Sequence, residues 1–221
     1  SGRSAGSVGG SRVAHWMLLN QVFDEAMTDE ELTLITPQGA TALKTATDEG
    51  IFLFNADRAA DIMRVLAFAE ERELSAVIHG GSEAWMVAES LAAANVAVIL
   101  NPLKNLPENF ESLGARLDNA AILHKANVRV IFSSGETHNA RKVRQLAGNA
   151  AANGLPHSAA LAAISSTPAA VFGGEPRSLS QGARADLVIW SGDPLEVTTQ
   201  AEHVILSGVP DTMVSRQTLL R

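Results

Sequence analysis

An α/β fold built on a parallel sheet, followed by a small β module, is what this sequence predicts, and three observations predict it. Four short runs, 51–55 (IFLFN), 75–79 (SAVIH), 96–100 (VAVIL) and 128–134 (VRVIFSS), are largely apolar instead of alternating. Strands buried on both faces need that composition, as in a parallel sheet covered by helices. Segments with helical periodicity separate the runs, the pattern of consecutive βαβ units. After about residue 176 the chain changes to strand-turn-strand, the mark of an antiparallel appendage. A closed (β/α)₈ barrel needs eight strands and about 250 residues. Four βα units amount to half a barrel or to an open sheet.

The elements follow in order. Residues 11–27 read as a helix capped by Ser11, with Val13, Met17 and Leu18 on one face and Phe23 close to it. A second helix over 37–48 opens with Pro37 at a first-turn position. The run 51–55 leads into a helix over 57–73 whose stripe is Ile62, Val65, Leu66 and Ala69. The run 75–79 leads into a helix over 82–95, capped by Ser82, with Ala84, Val87, Ala88 and Leu91 as its stripe. The run 96–100 enters a Pro/Asn-rich loop (101–109), then a helix (117–127) and the run 128–134. Helices over 139–152 and 156–164 follow. The tail offers strands at 183–194, ending in Ser-Gly-Asp-Pro, and at 201–210, ending in a Gly-centred turn.

Composition narrows the function. Net charge is −7 and the 17 basic residues are scattered, so no nucleic-acid partner is expected. No apolar run reaches 18 residues, so no membrane partner or span is expected. The opening, SGRSAGSVGGSR, has no apolar core of a signal peptide; without Met and rich in Gly and Ser, it reads as the interior of a longer chain. Cys and Tyr are absent, so any metal must be held by His, Asp, Glu or Asn. There are six His. A soluble protein of bacterial cytoplasm or periplasm is expected, and zero Cys leaves both compartments open.

Within VIFSSGETHNARK (130–142), Glu136 and His138 stand two apart where a strand gives way to a helix. This reads either as a metal or acid/base site at a barrel mouth or as a helix start, with Thr137 as cap and Glu136 favoured by the helix dipole. His79 ends its strand and reads equally as a ligand or as a hydrogen-bonded strand-end residue. His138, His124 and His203 read as exposed positions on loop, helix and strand, and His15 as a boundary residue. Gly80-Gly81-Ser82 reads as a tight turn. Lys104 lies in the loop after the third run, where it could meet a substrate carboxylate.

Three stretches together resemble the amidohydrolase superfamily, in particular its imidazolonepropionase-like branch. They are RADLVIWSGDPLEV (184–197), NGLPHSAALAAISSTPAAVFG (153–173) and HGGSEAWMVAESLAAANVAVILNP (79–102). The resemblance implies a partial (β/α) TIM-like barrel, about the last four βα units (1–176), with a portion of a small β-sandwich (177–221). It implies hydrolysis of C–N bonds in amides or cyclic amides by water activated on one or two divalent metals, zinc first, because a bound metal lowers the pKa of its water. It sets Asn55 where a fifth-strand His is expected, His79 at the sixth-strand His, and Glu136, one methylene longer, at the eighth-strand Asp that binds metal and acts as base. The implied assignment is therefore His79 and Glu136 as metal ligands, Glu136 as the catalytic group, and Asn55, Lys104 and His138 toward substrate. A His-x-His pair expected on the first strand has no counterpart in this sequence. Zinc normally takes three or four protein ligands, so the chain alone is expected to be inactive. The alternative is a non-catalytic ligand-binding or scaffold domain. Half a barrel would leave two open sheet edges and an apolar interior. A missing N-terminal half or a second copy of the chain is the expected partner, and the isolated chain is expected to be an oligomer.

Overall fold

A computed structural model describes residues 10–28, 32–104, 106–175 and 178–214. The chain divides into two compact units, Ser1–Phe52 with Arg72–Ser75, and Leu53–Glu71 with Ala76–Arg221. The boundary expected at 176/177 lies outside the described residues.

The first unit holds two helices, α1 (Arg12–Met27) and α2 (Pro37–Glu49), which pack together. Ser11 caps α1, its Oγ accepting the Ala14 N–H at 3.1 Å. Thr36 caps α2 through the Gly39 N–H at 3.1 Å, and Pro37 occupies the first turn. The buried positions of α1 are Phe23 and Ala26, whereas Val13 and Met17 are 60% and 59% exposed. The expected face is therefore met only in part: Val13 and Met17 face solvent, Leu18 is half-buried, and Phe23 is buried. Phe23 meets Phe52 with ring centroids 5.7 Å apart. The Glu25 carboxylate fastens the turn before α2, accepting the N–H groups of Thr33, Leu34 (2.7 Å) and Ile35 (3.2 Å) and the Thr33 hydroxyl (3.0 Å). Burial pushes its pKa up, but these donors together hold it below the usual carboxylate range.

The second unit contains both sheets. The four-stranded one runs in the order β1 (Phe52–Ala56), β2 (Ala76–Gly80), β3 (Ala97–Leu100) and β4 (Val130–Phe132), with β2–β3 and β3–β4 parallel. Sequential order without reversal fits an arc of a (β/α) barrel; a doubly wound sheet would reverse its order at a switch point. Ala97, Val98, Ile99 and Leu100 are all buried, as a non-alternating strand should be. Between β1 and β2 lies α3 (Ala59–Glu71), which buries Ile62, Val65, Leu66 and Ala69 as its periodicity predicts, with Phe68 beside them. Phe68 meets Phe54 of β1 edge-on at 6.1 Å.

The connection from β2 to β3 departs from expectation. Residues Ala84–Val87 form a 3₁₀ turn, and only Ala88–Ala93 (α4) is α-helical. Ser82 is no cap: its hydroxyl donates to Asp57 Oδ1 at 2.7 Å, so the side chain is used across strands. After β3 a 3₁₀ turn, Pro102–Lys104, leads by a loop to α5 (Asn119–Lys125) and β4. Trp85 pins this loop, its indole N–H donating to the Gly114 carbonyl at 2.8 Å. Helices α6 (Val143–Ala152), α7 (His157–Ala162) and α8 (Ser166–Val171) follow.

The expectation of two open edges needs correction at β4. Phe132 N–H, which points away from β3, donates to the Ala163 carbonyl at 3.1 Å, so the chain itself covers part of that edge. The second sheet is antiparallel, with strands β5 (Leu187–Trp190), β6 (Ala201–Leu206) and β7 (Val209–Pro210) in that order.

Candidate functional site

Asn55 and His79 are each the fourth residue of a five-residue strand, on neighbouring strands β1 and β2. Equal places on adjacent strands put both side chains at the C-terminal end of the sheet. There His79 Nδ1 lies 2.6 Å from Asn55 Oδ1. Register carries the same face on to Ile99 and Ile131, which are buried, so the pair has an apolar floor on one side. Asn55 is exposed and His79 half-buried.

The turn behind His79 is built for close approach. Gly80 (φ +105°) and Gly81 (φ +65°) adopt backbone conformations that side chains disfavour. A Cβ on Gly80 would stand 2.8 Å from Asp57 Oδ1, and one on Gly81 would stand 2.8 Å from Val98 Cγ1. Asp57 accepts from the Ser82 hydroxyl, and Glu83 accepts the Ala59 N–H at 2.9 Å. The two acidic residues thus cross-link the loops after β1 and β2. Fully buried Asn119 donates to the Gly81 carbonyl at 2.9 Å. The Gly-Gly-Ser turn is accordingly a structural lock that holds the end of β2.

Glu136 and His138 occupy a different setting. Glu136 precedes a 3₁₀ turn, Thr137–Lys142, and no side chain caps that turn, so the expected Thr137 cap is absent. Glu136 Oε2 lies 3.2 Å from His138 Nε2 and accepts from the Asn139 amide. The two side chains are 51% and 75% exposed, and all three groups belong to one loop. Lys104 ends the 3₁₀ turn after β3 and is exposed. The structure therefore joins Asn55 to His79 and Glu136 to His138. Among the described residues no group of three or more His, Asp or Glu side chains could hold a metal ion. The donor set of these residues does not by itself fit a divalent metal, which needs at least three protein ligands when it is zinc.

Two constellations escaped the sequence reading. Arg144 on α6 donates to the carbonyls of Pro194 (2.8 Å), Glu196 (3.1 Å) and Thr199 (3.1 Å), and its guanidinium lies 4.5 Å from the Trp190 ring centroid. His157 Nε2 sits 2.9 Å from both carboxylate oxygens of Asp193, and Asp193 Oδ1 also accepts the Leu195 N–H at 2.8 Å. That N–H first, and His157 second, hold the Asp193 carboxyl below its usual pKa. The Ser-Gly-Asp-Pro turn signalled the bond to Leu195; nothing local signalled Arg144.

An amidohydrolase from Thermotoga maritima MSB8 superposes over 90% of this chain with a TM-score of 0.72 and 25% identity. Amidohydrolase tasK of Hapsidospora irregularis is 40% identical over 84 residues. The chain is similar in sequence and fold to amidohydrolases. The chain spans about half of the Thermotoga protein, 52% of its length, and the matched stretch is 35% of this chain and 9% of the Hapsidospora protein. The β-aspartyl dipeptidase of Fervidobacterium islandicum AW-1, solved with a β-Asp-Leu dipeptide, shares the fold over 75% of the chain and 50% of its own, at 17% identity and a TM-score of 0.51. No protein-family model matches the chain.

Proposed function

We propose that this chain is part of an amidohydrolase-type hydrolase acting on C–N bonds, amide or cyclic amide, of the imidazolonepropionase-like kind. The observation that carries the reading is the Asn55–His79 pair at the loop-bearing end of a sequentially ordered sheet, in a chain similar to an amidohydrolase over 90% of its length. Active sites of barrels lie at that end of the strands. In this reading the sheet is an arc of a barrel, and a divalent metal, zinc first, serves the reaction. His79 supplies one ligand, and the rest come from beyond the described residues: from a partner carrying the other half of the barrel or from a second copy of the chain. Glu136, His138 and Lys104 then face the substrate from the neighbouring loops.

The test is elemental analysis of the purified chain, alone and with added zinc, alongside hydrolysis assays on linear and cyclic amides. Hydrolysis that needs zinc and disappears in His79→Gln is the expected result for the completed protein. A second reading, a non-catalytic ligand-binding or scaffold domain, draws on two observations: the Asn55 carbonyl is engaged by His79, and Glu136 is tied up within its own loop. Neither metal nor hydrolysis in the completed protein would favour that reading.

A further inference from the structure

We infer that Asn55 is a positioning residue that fixes the tautomer of His79, placing the proton on Nδ1 and leaving the Nε2 lone pair open at the sheet end. The inference rests on the reading of this pair as the site. It assigns Asn55 a role different from that of ligand or substrate contact.

An amide oxygen can only accept, so Asn55 Oδ1 at 2.6 Å from His79 Nδ1 requires a hydrogen on Nδ1. In a neutral imidazole the other nitrogen is then the acceptor. The opposite orientation, with the amide nitrogen donating to a bare Nδ1, would set two nitrogens 2.6 Å apart, shorter than N–H donors normally reach. Equal places on adjacent strands hold the pair in register, and the Gly80–Gly81 turn, locked by Asp57 and Asn119, fixes the end of β2. No described residue hydrogen-bonds Nε2. The consequence is chemical: Nε2 is available to accept a proton or to bind an electrophile, while Nδ1 is committed.

Long-range ¹H–¹⁵N correlation NMR on the uniformly labelled full chain reads the tautomer directly. The His79 signal is assigned by its loss in His79→Gln. Nδ1–H is expected in the wild type and in Asn55→Asp, which keeps an acceptor. In Asn55→Leu the signal should shift to the Nε2–H form or to an averaged mixture. Nε2–H in the wild type overturns the inference, and so does an Asn55→Leu spectrum identical to wild type. If Asn55→Leu does not fold, the wild-type and Asn55→Asp spectra decide the matter. A chain with Nδ1–H and no hydrolase activity in the completed protein would defeat the proposed function and leave this assignment standing.

Discussion

At the scale of single residues, Arg144 joins the C-terminal module to α6. Its three carbonyl acceptors and the Trp190 ring make it more than a surface cation. Hydrogen bonds from a charged donor and a cation–π contact add to a loss of roughly 2–4 kcal/mol for Arg144→Ala, measured as a lower urea midpoint with unchanged slope. Arg144→Lys should recover less than half of this, because a point charge cannot serve three acceptors in a planar fork. Asp193 adds a pH dependence whose sign is fixed. Its folded pKa is depressed, chiefly by the Leu195 N–H and then by His157, so its contribution is present above the unfolded value of about 3.9 and is lost as pH falls through the folded value. Asp193→Asn should lower the urea midpoint at neutral pH, leave it little changed at low pH, and so flatten the acid limb of the stability curve.

At the scale of elements, two glycines weigh propensity against space. Gly148 sits inside α6, where alanine would gain about 1 kcal/mol of helix propensity. A Cβ there would stand 2.5 Å from the Leu195 carbonyl oxygen, which is backbone and cannot swing away. Overpacking costs about 1–3 kcal/mol, so Gly148→Ala should destabilise the chain and loosen the 191–197 segment, seen as faster amide exchange there. Gly80→Ala meets both a positive φ and Asp57. It should cost about 1–3 kcal/mol and disturb the His79 resonances more than those of β4. The strand runs and α3 were legible in the sequence because burial demands apolar side chains at fixed local periods. The 3₁₀ turn at Ala84–Val87 was not, because Ser82 was diverted from capping by Asp57, a residue from the previous loop.

At the scale of the whole molecule, the half-length match to the Thermotoga protein raises the question of partners. Leu53 on β1 is 55% exposed, while the β4 edge is partly covered through Ala163. Small-angle scattering of the isolated chain should show an oligomer, since exposed apolar strand residues favour association. A compact monomer would count against that expectation and favour an open sheet. No described helix is long and apolar enough to cross a membrane.

The sequence by itself determined the four strands of the parallel sheet and the resemblance that comparison bears out at superfamily level; the tail strand expected over 201–210 is instead two strands, Ala201–Leu206 and Val209–Pro210, paired antiparallel across a turn. Those properties live in short windows, where the pattern of apolar residues is enough. Only the tertiary structure decided that Asn55 and His79, 24 residues apart, share one hydrogen bond, and that Arg144 reaches Pro194, 50 residues on. It also decided that Glu136 and His138 stay within their own loop. The reason is physical: a hydrogen bond depends on distance and direction, and across elements those are set by strand register and packing, which no local period encodes.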